Sequence, residues 1–533
     1  MDNLQIRRLW PPWEVMANTS RPLVQLSLAV NYALGGLDTL GYHAFNLTVH
    51  TLAGLVLFGI VRRTLGSEPL RARYAGAAPW LATAVAALWL VHPLQTESVT
   101  YIIQRAESLM GLFYLLTLYC VVRGSLSPHS AGWYITAVVA CVLGMGSKEV
   151  MVTAPVLTLL YDRVFLSRSF ADLLRRRWGL YAALAAAWGV EAALVATEST
   201  KGLTGLGPSE VSPWDYAKTQ SAVIVHYVRL AFWPDPLVLD YKWPLAPTLA
   251  SVAPWATLVL ASLGATMWAL RRQPPWGFLG AWFFLVLSPT SSIAPIADAA
   301  FEHRMYLPLA AVVALVVIGG HELLGSVFRR LAAPDHLRLW LEVSLLVVAV
   351  AALGYTTVRR NEDYRSEYAI WSDTVAKRPT NPRAHNNMGA LLITQGRLVD
   401  ATAHLHQAVR LQPDYGDAHN NLGLSLYKQR QLPEAITHLS EAVRINPNDA
   451  RAHKNLGLAL FDQGRLEEAI VHYSEALRVN PNDALTHYNL GLALFDRGRL
   501  EEAIAHYSEA LRIDPSYAEA AHNNLGNALA GQG

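Results

Sequence analysis

The chain has 533 residues, of which 52% are hydrophobic and 16% charged, with a mean hydropathy of +0.22. That is too apolar for a soluble protein of this length and points to a polytopic membrane protein. A net charge of +2 leaves no footprint for a nucleic-acid partner. The two cysteines, Cys120 and Cys141, lie in apolar runs, which argues against a disulfide framework and a Cys-based metal motif.

The opening stretch MDNLQIRRLWPPWEVM has no apolar h-region, so it reads neither as a signal peptide nor as a span. Apolar segments near spanning length follow at about 43–61, 79–92, 108–122, 131–146, 149–162, 179–197, 251–270, 275–293, 305–323 and 339–358. Between alternate pairs lie the arginines: Arg62, Arg63, Arg71 and Arg73, then Arg123, then Arg163 to Arg177, then Arg271 and Arg272, then Arg329, Arg330 and Arg338. With ten spans these loops share one side, the cytoplasmic one, and both termini face outward. Arg359 and Arg360 fall outside and break the rule.

The two faces differ in chemistry. Inner loops are Arg, Gly, Pro and Ser. Outer turns carry acids beside bases: His92, Glu97, Arg105 and Glu107 in HPLQTESVTYIIQRAE; Lys148 and Glu149; and Glu302, His303 and Arg304 in AFEHRMYLP. The outer loop 198–250 holds an amphipathic segment at 214–233 that reads as an interfacial helix, and 21–38 has the same character. A single charge at a helix end is normally a snorkelling anchor, and Lys148 and Glu149 could simply pair in their turn. His43, Asn46 and His50, at i, i+3 and i+7, read first as bonds between helices and second as ligands. The concentration of three such turns on one side favours a functional reading, because paired acids and bases suit binding a charged head group and deprotonating a hydroxyl.

Composition changes at about 359–363. Beyond it Pro379, Pro413, Pro447, Pro481 and Pro515 recur every 34 residues, as do Gly389, Gly423, Gly457 and Gly491. Two alanine positions and a Leu/Tyr position keep the same period. This is the tetratricopeptide (TPR) pattern of antiparallel helix pairs stacked into a superhelix with a concave peptide-binding surface. The expected layout is a membrane domain at 1–362 and a TPR domain at 363–533. The latter comprises a leading half-repeat at 363–379, four repeats at about 380–515 and a capping helix at 516–533. Asn387, Asn421, Asn455 and Asn489 also recur, two before each glycine. A ladder of amides could grip an extended peptide backbone; the alternative is local capping or packing. Similar asparagine ladders occur in the TPR superhelix of the nucleocytoplasmic O-GlcNAc transferase, which this part resembles in its repeats alone.

Taken together, RPLVQLSLAVNYALGG, GYHAFNLTVH, HPLQTESVTYIIQRAE, GMGSKEVMVTAPVLTLLYD and EHRMYLPL resemble the membrane half of the transmembrane and TPR-containing protein O-mannosyltransferases and their bacterial relatives. The resemblance covers nearly the whole chain. It implies an all-α, GT-C-like helix bundle followed by a TPR solenoid. The implied donor is a polyprenyl-phosphate sugar (dolichyl- or undecaprenyl-phosphate mannose), and the implied acceptor is a protein Ser or Thr on the outer or lumenal side. No divalent metal is indicated. By position, His92, Glu97 and Arg105 match the first motif, with Glu107 where Asp is common. Lys148 and Glu149 match the Ser-Lys-Glu turn, and Glu302, Arg304 and Tyr306 the Glu-x-Arg-x-Tyr motif. The resemblance thus offers His92, Arg105, Lys148 and Arg304 for the donor phosphate and Asp2, Glu97, Glu107 and Glu302 for acid-base work. Family members carry a first helix and an acidic pair before this point; here Asp2 is the nearby acid, which suggests a start inside that first outer loop. Partners expected are the bilayer, a lipid-linked sugar and acceptor or partner proteins held by the TPRs. The place expected is a bacterial inner membrane with periplasmic repeats. A non-catalytic membrane scaffold presenting the repeats is the alternative. A transporter is the weakest reading, since no inverted repeat and no run of intramembrane carboxylates occurs.

Overall fold

The structure is a computed structural model; it describes residues 4–7, 9–17, 19–199, 211–292, 295–296, 298–517, 524 and 526. Among these no β-strand occurs, and the chain divides into two compact units, Met1–Arg365 and Ser366–Gly533. Asp2 lies outside the described residues, as does most of the expected capping helix. Of that helix the structure describes a 3-10 turn at Pro515–Tyr517 and, beyond it, Asn524, whose Nδ2–H donates to the Tyr488 hydroxyl at 3.0 Å.

Among the described residues of the first unit, six helices are long and apolar enough to cross a membrane: Thr39–Leu65, Ile102–Leu126, Phe170–Ala196, Leu249–Arg272, Pro308–Arg330 and Asp335–Asp363. Ala78–Leu90, Ser130–Met145 and Pro274–Leu287 are apolar but shorter. At 1.5 Å per residue, a 13-residue helix such as Ala78–Leu90 covers about 20 Å of a core of about 30 Å. The run expected as a span at 149–162 is not one helix. It is a 3-10 turn Glu149–Thr153, a short helix Ala154–Tyr161 and a π turn Asp162–Leu166. Pro155 explains the first break: without an N–H it sits in the first turn of a helix and cannot continue one from 149. The π turn places the fully buried Asp162 against Arg177 (2.7 Å), the Ser167 hydroxyl (2.7 Å) and the Tyr181 hydroxyl (2.7 Å).

Helix Asp335–Asp363 presents Trp340, Val347 and Val348 outward, as a lipid-facing helix would. The core beneath is packed around Trp89, Tyr114, Tyr161 and Tyr306, all less than 2% exposed.

The second unit is a row of helix pairs: Pro382–Thr394 with Leu398–Leu411, Gly416–Lys428 with Leu432–Ile445, Ala450–Asp462 with Leu466–Val479, and Ala484–Asp496 with Leu500–Ile513. Glu367–Lys377 precedes them. The repeating glycine has a packing reason. A Cβ on Gly457 would stand 2.7 Å from the Tyr473 ring, so only glycine lets the two helices of a pair close over that side chain. Ala401, Ala435, Ala469 and Ala503 are fully buried where the same helices cross.

Candidate active site

The stretch after residue 90 is built to turn side chains inward. His92 caps it, its Nδ1 accepting the Leu94 N–H at 3.2 Å, and Pro93 opens a 3-10 turn. A helix of five residues, Thr96–Thr100, and a second 3-10 turn, Ile102–Gln104, lead to the long helix beginning at Arg105. The turn Glu302–Met305 is drawn against this stretch: Trp89 Nε1–H donates to the Tyr306 carbonyl at 2.9 Å.

Glu97 is the junction. Its Oε2 accepts the His303 backbone N–H at 2.9 Å, and its Oε1 lies 2.7 Å from His303 Nδ1. Glu302 sits nearby. Its Oε1 accepts the Tyr241 hydroxyl at 2.8 Å and the Val238 N–H, while its Oε2 is buried with no hydrogen-bond partner among the described residues. Glu107 and Lys148 are buried and form an ion pair. Glu149, beside Lys148 in sequence, turns instead to Arg21 at 3.3 Å.

Burial raises the pKa of both Glu97 and Glu302; Arg360 opposes the rise at Glu302, and the charge of Glu97 adds to it. His303 is held neutral, first by burial and then by the nearby Lys148 cation, with Glu107 opposing. Glu97, Glu302, His303, Lys148 and Glu107 therefore form one electrostatic cluster. Two carboxyls that resist ionisation, beside a cation, can exchange a proton with a hydroxyl and neutralise an anion.

Three expected phosphate ligands are occupied elsewhere. Arg304 directs its NH1 to the carbonyls of Thr290 (3.0 Å) and Ala299 (2.8 Å) and its NH2 to that of Asp298 (2.6 Å), so it braces its own loop. Arg105 is fully buried, donating to Asn46 Oδ1 (2.7 Å), the Tyr42 carbonyl (3.2 Å) and the Ser27 hydroxyl (3.3 Å) under the Phe45 ring. It pins the helices before it rather than facing a ligand. His92 has its Nε2 on the Ala231 carbonyl at 3.1 Å, and burial lowers its pKa to about 4, so it is uncharged at neutral pH. Of the four, Lys148 pairs with a carboxyl of the set, and Arg304 acts on Glu97 through its charge. Two of the line His43, Asn46 and His50 are likewise used between elements: Asn46 serves Arg105, and His50 Nδ1 lies 2.9 Å from the Tyr306 hydroxyl, while His43 is exposed.

His303, Tyr241 and Arg360 enter the cluster without having been assigned to it from sequence. Arg360 carried a signal, since with ten spans it is expected on the side where arginine departs from the charge rule. Tyr241 sits in the segment between helices Pro213–Phe232 and Leu249–Arg272 with nothing local to mark it.

The asparagine ladder is mortar between repeats. Asn421 Nδ2–H donates to Asn386 Oδ1 at 2.9 Å, and Asn455 Nδ2–H to Asn420 Oδ1 at 2.8 Å, while Asn387 Oδ1 accepts from Asn386 at 3.3 Å. Where the series would place a third asparagine stands Lys454, which pairs with Asp483 at 2.8 Å, and Asn489 Nδ2 is buried without a partner among the described residues. Two of the four amides expected to grip a peptide, Asn421 and Asn455, thus direct a donor to the preceding repeat.

Comparison with known proteins adds to both units. The family described as Tetratricopeptide repeat matches residues 386–450, 420–484 and 454–518, so the chain carries TPRs. The chain is 23% identical over 436 residues to Protein O-mannosyl-transferase TMTC3 of Homo sapiens, covering 74% of this chain and 45% of that protein. It is 26% identical over 464 residues to Protein O-mannosyl-transferase Tmtc3 of Drosophila melanogaster, covering 74% and 48%. With Protein O-mannosyl-transferase TMTC4 of Mus musculus it shares 27% over 441 residues, covering 72% and 57%. The chain spans about half the length of the curated relatives it matches. Among solved structures it is similar to MamA (24% identity, 30% of this chain and 94% of that one, TM-score 0.27). It is also similar to YrrB, described as a TPR protein with an unusual peptide-binding site (24% identity, 33% and 90%, TM-score 0.27).

Proposed function

We propose that this chain is an integral membrane glycosyltransferase. It moves a sugar, mannose by analogy with the proteins it is similar to, from a polyprenyl-phosphate donor to a Ser or Thr hydroxyl of a protein. The reaction runs on the extracytoplasmic side of a bacterial inner membrane, and the TPRs hold the acceptor or a partner protein. The observation that carries this reading is the buried set Glu97, Glu302 and Lys148–Glu107, drawn together from three turns.

In the proposed step the acceptor O–H bond breaks and its proton passes to a carboxylate of the cluster. Glu302 is the candidate, because its Oε2 has no other bond to lose. The hydroxyl oxygen bonds to the sugar C1 as the bond from C1 to the phosphate oxygen breaks. The electron pair leaves with the polyprenyl phosphate, and Lys148 offsets the anion's charge after exchanging Glu107 for it.

The test is transfer of labelled mannose from dolichyl- or undecaprenyl-phosphate mannose to a Ser/Thr peptide in proteoliposomes. Glu302→Gln is expected to lower the rate by roughly 10²–10⁴-fold, the usual worth of a general base. Transfer at the original rate in both Glu302→Gln and Lys148→Met would remove the assignment. One observation favours a second reading, a membrane scaffold without catalysis: His92, Arg105 and Arg304 are all bound to protein groups. A scaffold would keep its partner binding in the same two variants.

A further inference from the structure

Each repeat carries one histidine on its first helix and one on its second, 19 residues apart: His385 and His404, His419 and His438, His453 and His472, His487 and His506. They make up nearly half of the 18 histidines in the chain. The recurring glycines and alanines are explained by close packing of the two helices. Packing alone does not ask for an imidazole at two positions in all four repeats.

In the third repeat the rings of His453 and His472 meet Nδ1 to Nδ1 at 3.0 Å, with centroids 5.2 Å apart. The other pairs repeat this meeting at 3.0 or 3.1 Å. Two nitrogens held at roughly 2.0–2.1 Å from one tetrahedral ion stand about 3.3 Å apart, so the rings need separate by only a few tenths of an ångström to share an ion. His453 is 5% exposed, and its Nε2–H donates to the Pro447 carbonyl at 3.1 Å. That bond fixes the tautomer and turns the Nδ1 lone pair toward His472. Histidines that bind metal are held in this way, the second ring nitrogen giving its proton to a carbonyl or carboxylate. Pro379, Pro413 and Pro481 do the same for His385, His419 and His487.

We propose that each histidine pair binds one divalent transition-metal ion of the kind imidazole prefers, zinc, copper or nickel, and that the ion ties together the two helices of its repeat. In the metal-free chain His472 Nδ1–H donates to His453 Nδ1. On binding, that N–H bond breaks and its proton goes to water, while Nε2 of the half-buried His472 ring takes a proton from water. Both rings then bind the ion as neutral imidazoles. Glu468 and Glu475, four residues before His472 and three after it, hold Arg465 at 2.6 Å and Arg478 at 2.7 Å and so keep those cations occupied. Among the described residues no third histidine, cysteine or carboxyl completes the set, so water fills the remaining positions. The proposal does not depend on the transferase reading.

The experiment titrates copper(II) into the untagged, chelator-washed full chain in lipid nanodiscs. Equilibrium dialysis counts bound ions, and pulsed EPR reports the imidazole nitrogens around each. One ion per pair is expected, with two imidazoles on each ion. His453→Gln and His472→Gln each remove one ion, because losing a ligand weakens that site by at least the roughly 10–100-fold that losing a ligand's supporting hydrogen bond costs. His336→Gln, at an exposed histidine of the first unit, leaves the count as it was. Zinc slows hydrogen exchange at 450–479 in the parent, a chelator reverses the change, and His472→Gln shows neither. Copper binding that persists in the fourfold variant His404→Gln/His438→Gln/His472→Gln/His506→Gln, a single imidazole per ion, or exchange indifferent to zinc overturns the proposal and leaves the ring-to-ring hydrogen bond as the whole role of each pair. Should the fourfold variant fold poorly, the single variants decide: loss of one ion in each supports the sites, and an unchanged count overturns them.

Discussion

Glu107 and Lys148 meet with 3% and 5% of their side chains exposed; Arg465 and Glu468 meet at 2.6 Å with 43% and 55% exposed. At its cluster the first unit hides charges and binds them between distant elements, as Lys148 reaches Glu107 across 41 residues of sequence. The repeat unit scatters many along its helices, often three residues apart, as in Arg478–Glu475, Arg499–Glu502 and Arg512–Glu509. Charge of the first kind is costly to break and can do chemistry; charge of the second kind keeps a surface wet.

Breaking one pair in each unit separates the two kinds most sharply. Lys148→Met leaves Glu107 buried without its cation and should cost about 3–5 kcal/mol. Arg465→Met, on the repeat surface, should leave the melting temperature unchanged within error. Thermal unfolding of both variants in the same detergent checks the contrast, and equal losses would erase it.

Packing, by contrast, is alike in the two units. A Cβ on Gly111 would stand 2.3 Å from the Tyr306 ring, as one on Gly457 would stand 2.7 Å from that of Tyr473. Each Gly→Ala change should cost about 1–3 kcal/mol through overpacking. They should differ in function. Tyr306 follows the turn that carries Glu302, so Gly111→Ala should also lower transfer, whereas Gly457→Ala should leave it in place. Stability and transfer measured on both variants show whether cluster geometry depends on that ring.

The pH responses should run in opposite directions. In every repeat two histidines meet Nδ1 to Nδ1: His385–His404 and His419–His438 at 3.1 Å, His453–His472 and His487–His506 at 3.0 Å. The first ring of each gives its Nε2–H to a proline carbonyl, that of Pro379, Pro413, Pro447 or Pro481, so its Nδ1 must accept from the second. Burial lowers the pKa of His385, His404, His472 and His506 below 6.5 and that of His438 to about 4. Asp400, Glu441, Glu468, Glu475, Glu502 and Glu509 oppose the fall at the second rings, and Arg397 and His406 add to it at His404 and His438.

The unfolded chain then binds more protons, so this stability is present above about 6.5 and is lost as pH falls toward about 4. Glu97 and Glu302 have pKa values raised from 4.5 to about 7, so their contribution is present below 4.5 and is lost as pH rises through about 7. Hydrogen exchange followed by peptide on the full chain should loosen 382–513 in acid and the turns near 97 and 302 in alkali. Parallel loosening of both units would contradict the assignment.

The same contrast explains what could be read from sequence. A 34-residue period repeats each environment four times, so the helix pairs, the glycines under Leu or Tyr and the buried alanines stand in plain view. The turns with Glu97, Glu302 and Lys148 were legible because charge at a membrane boundary is costly. Partners were not. Nothing local tells that Arg105 reaches back to Asn46, that Arg304 braces carbonyls or that Asn421 bonds Asn386, because residue type gives chemistry and not direction. Even at the asparagines the period did not tell that Asn421 and Asn455 bond the repeat before them.

The smallest effect tests that period at one place where it fails. The turn joining the two helices of a repeat uses Gly396, Gly464 and Gly498 at φ of +74°, +80° and +75°, while the second repeat has Arg430 there at φ +64°. An L side chain in this left-handed region costs roughly 1 kcal/mol. The compensating contact, Arg430 to Asp462 at 3.2 Å, involves an arginine that is 80% exposed and is worth little. Arg430→Gly should therefore stabilise the repeats, by about 0.5–1 kcal/mol after the extra entropy lost by glycine on folding. Slower exchange at 416–445 with no change elsewhere would confirm it. Faster exchange there would mean that the arginine's contacts outweigh the strain.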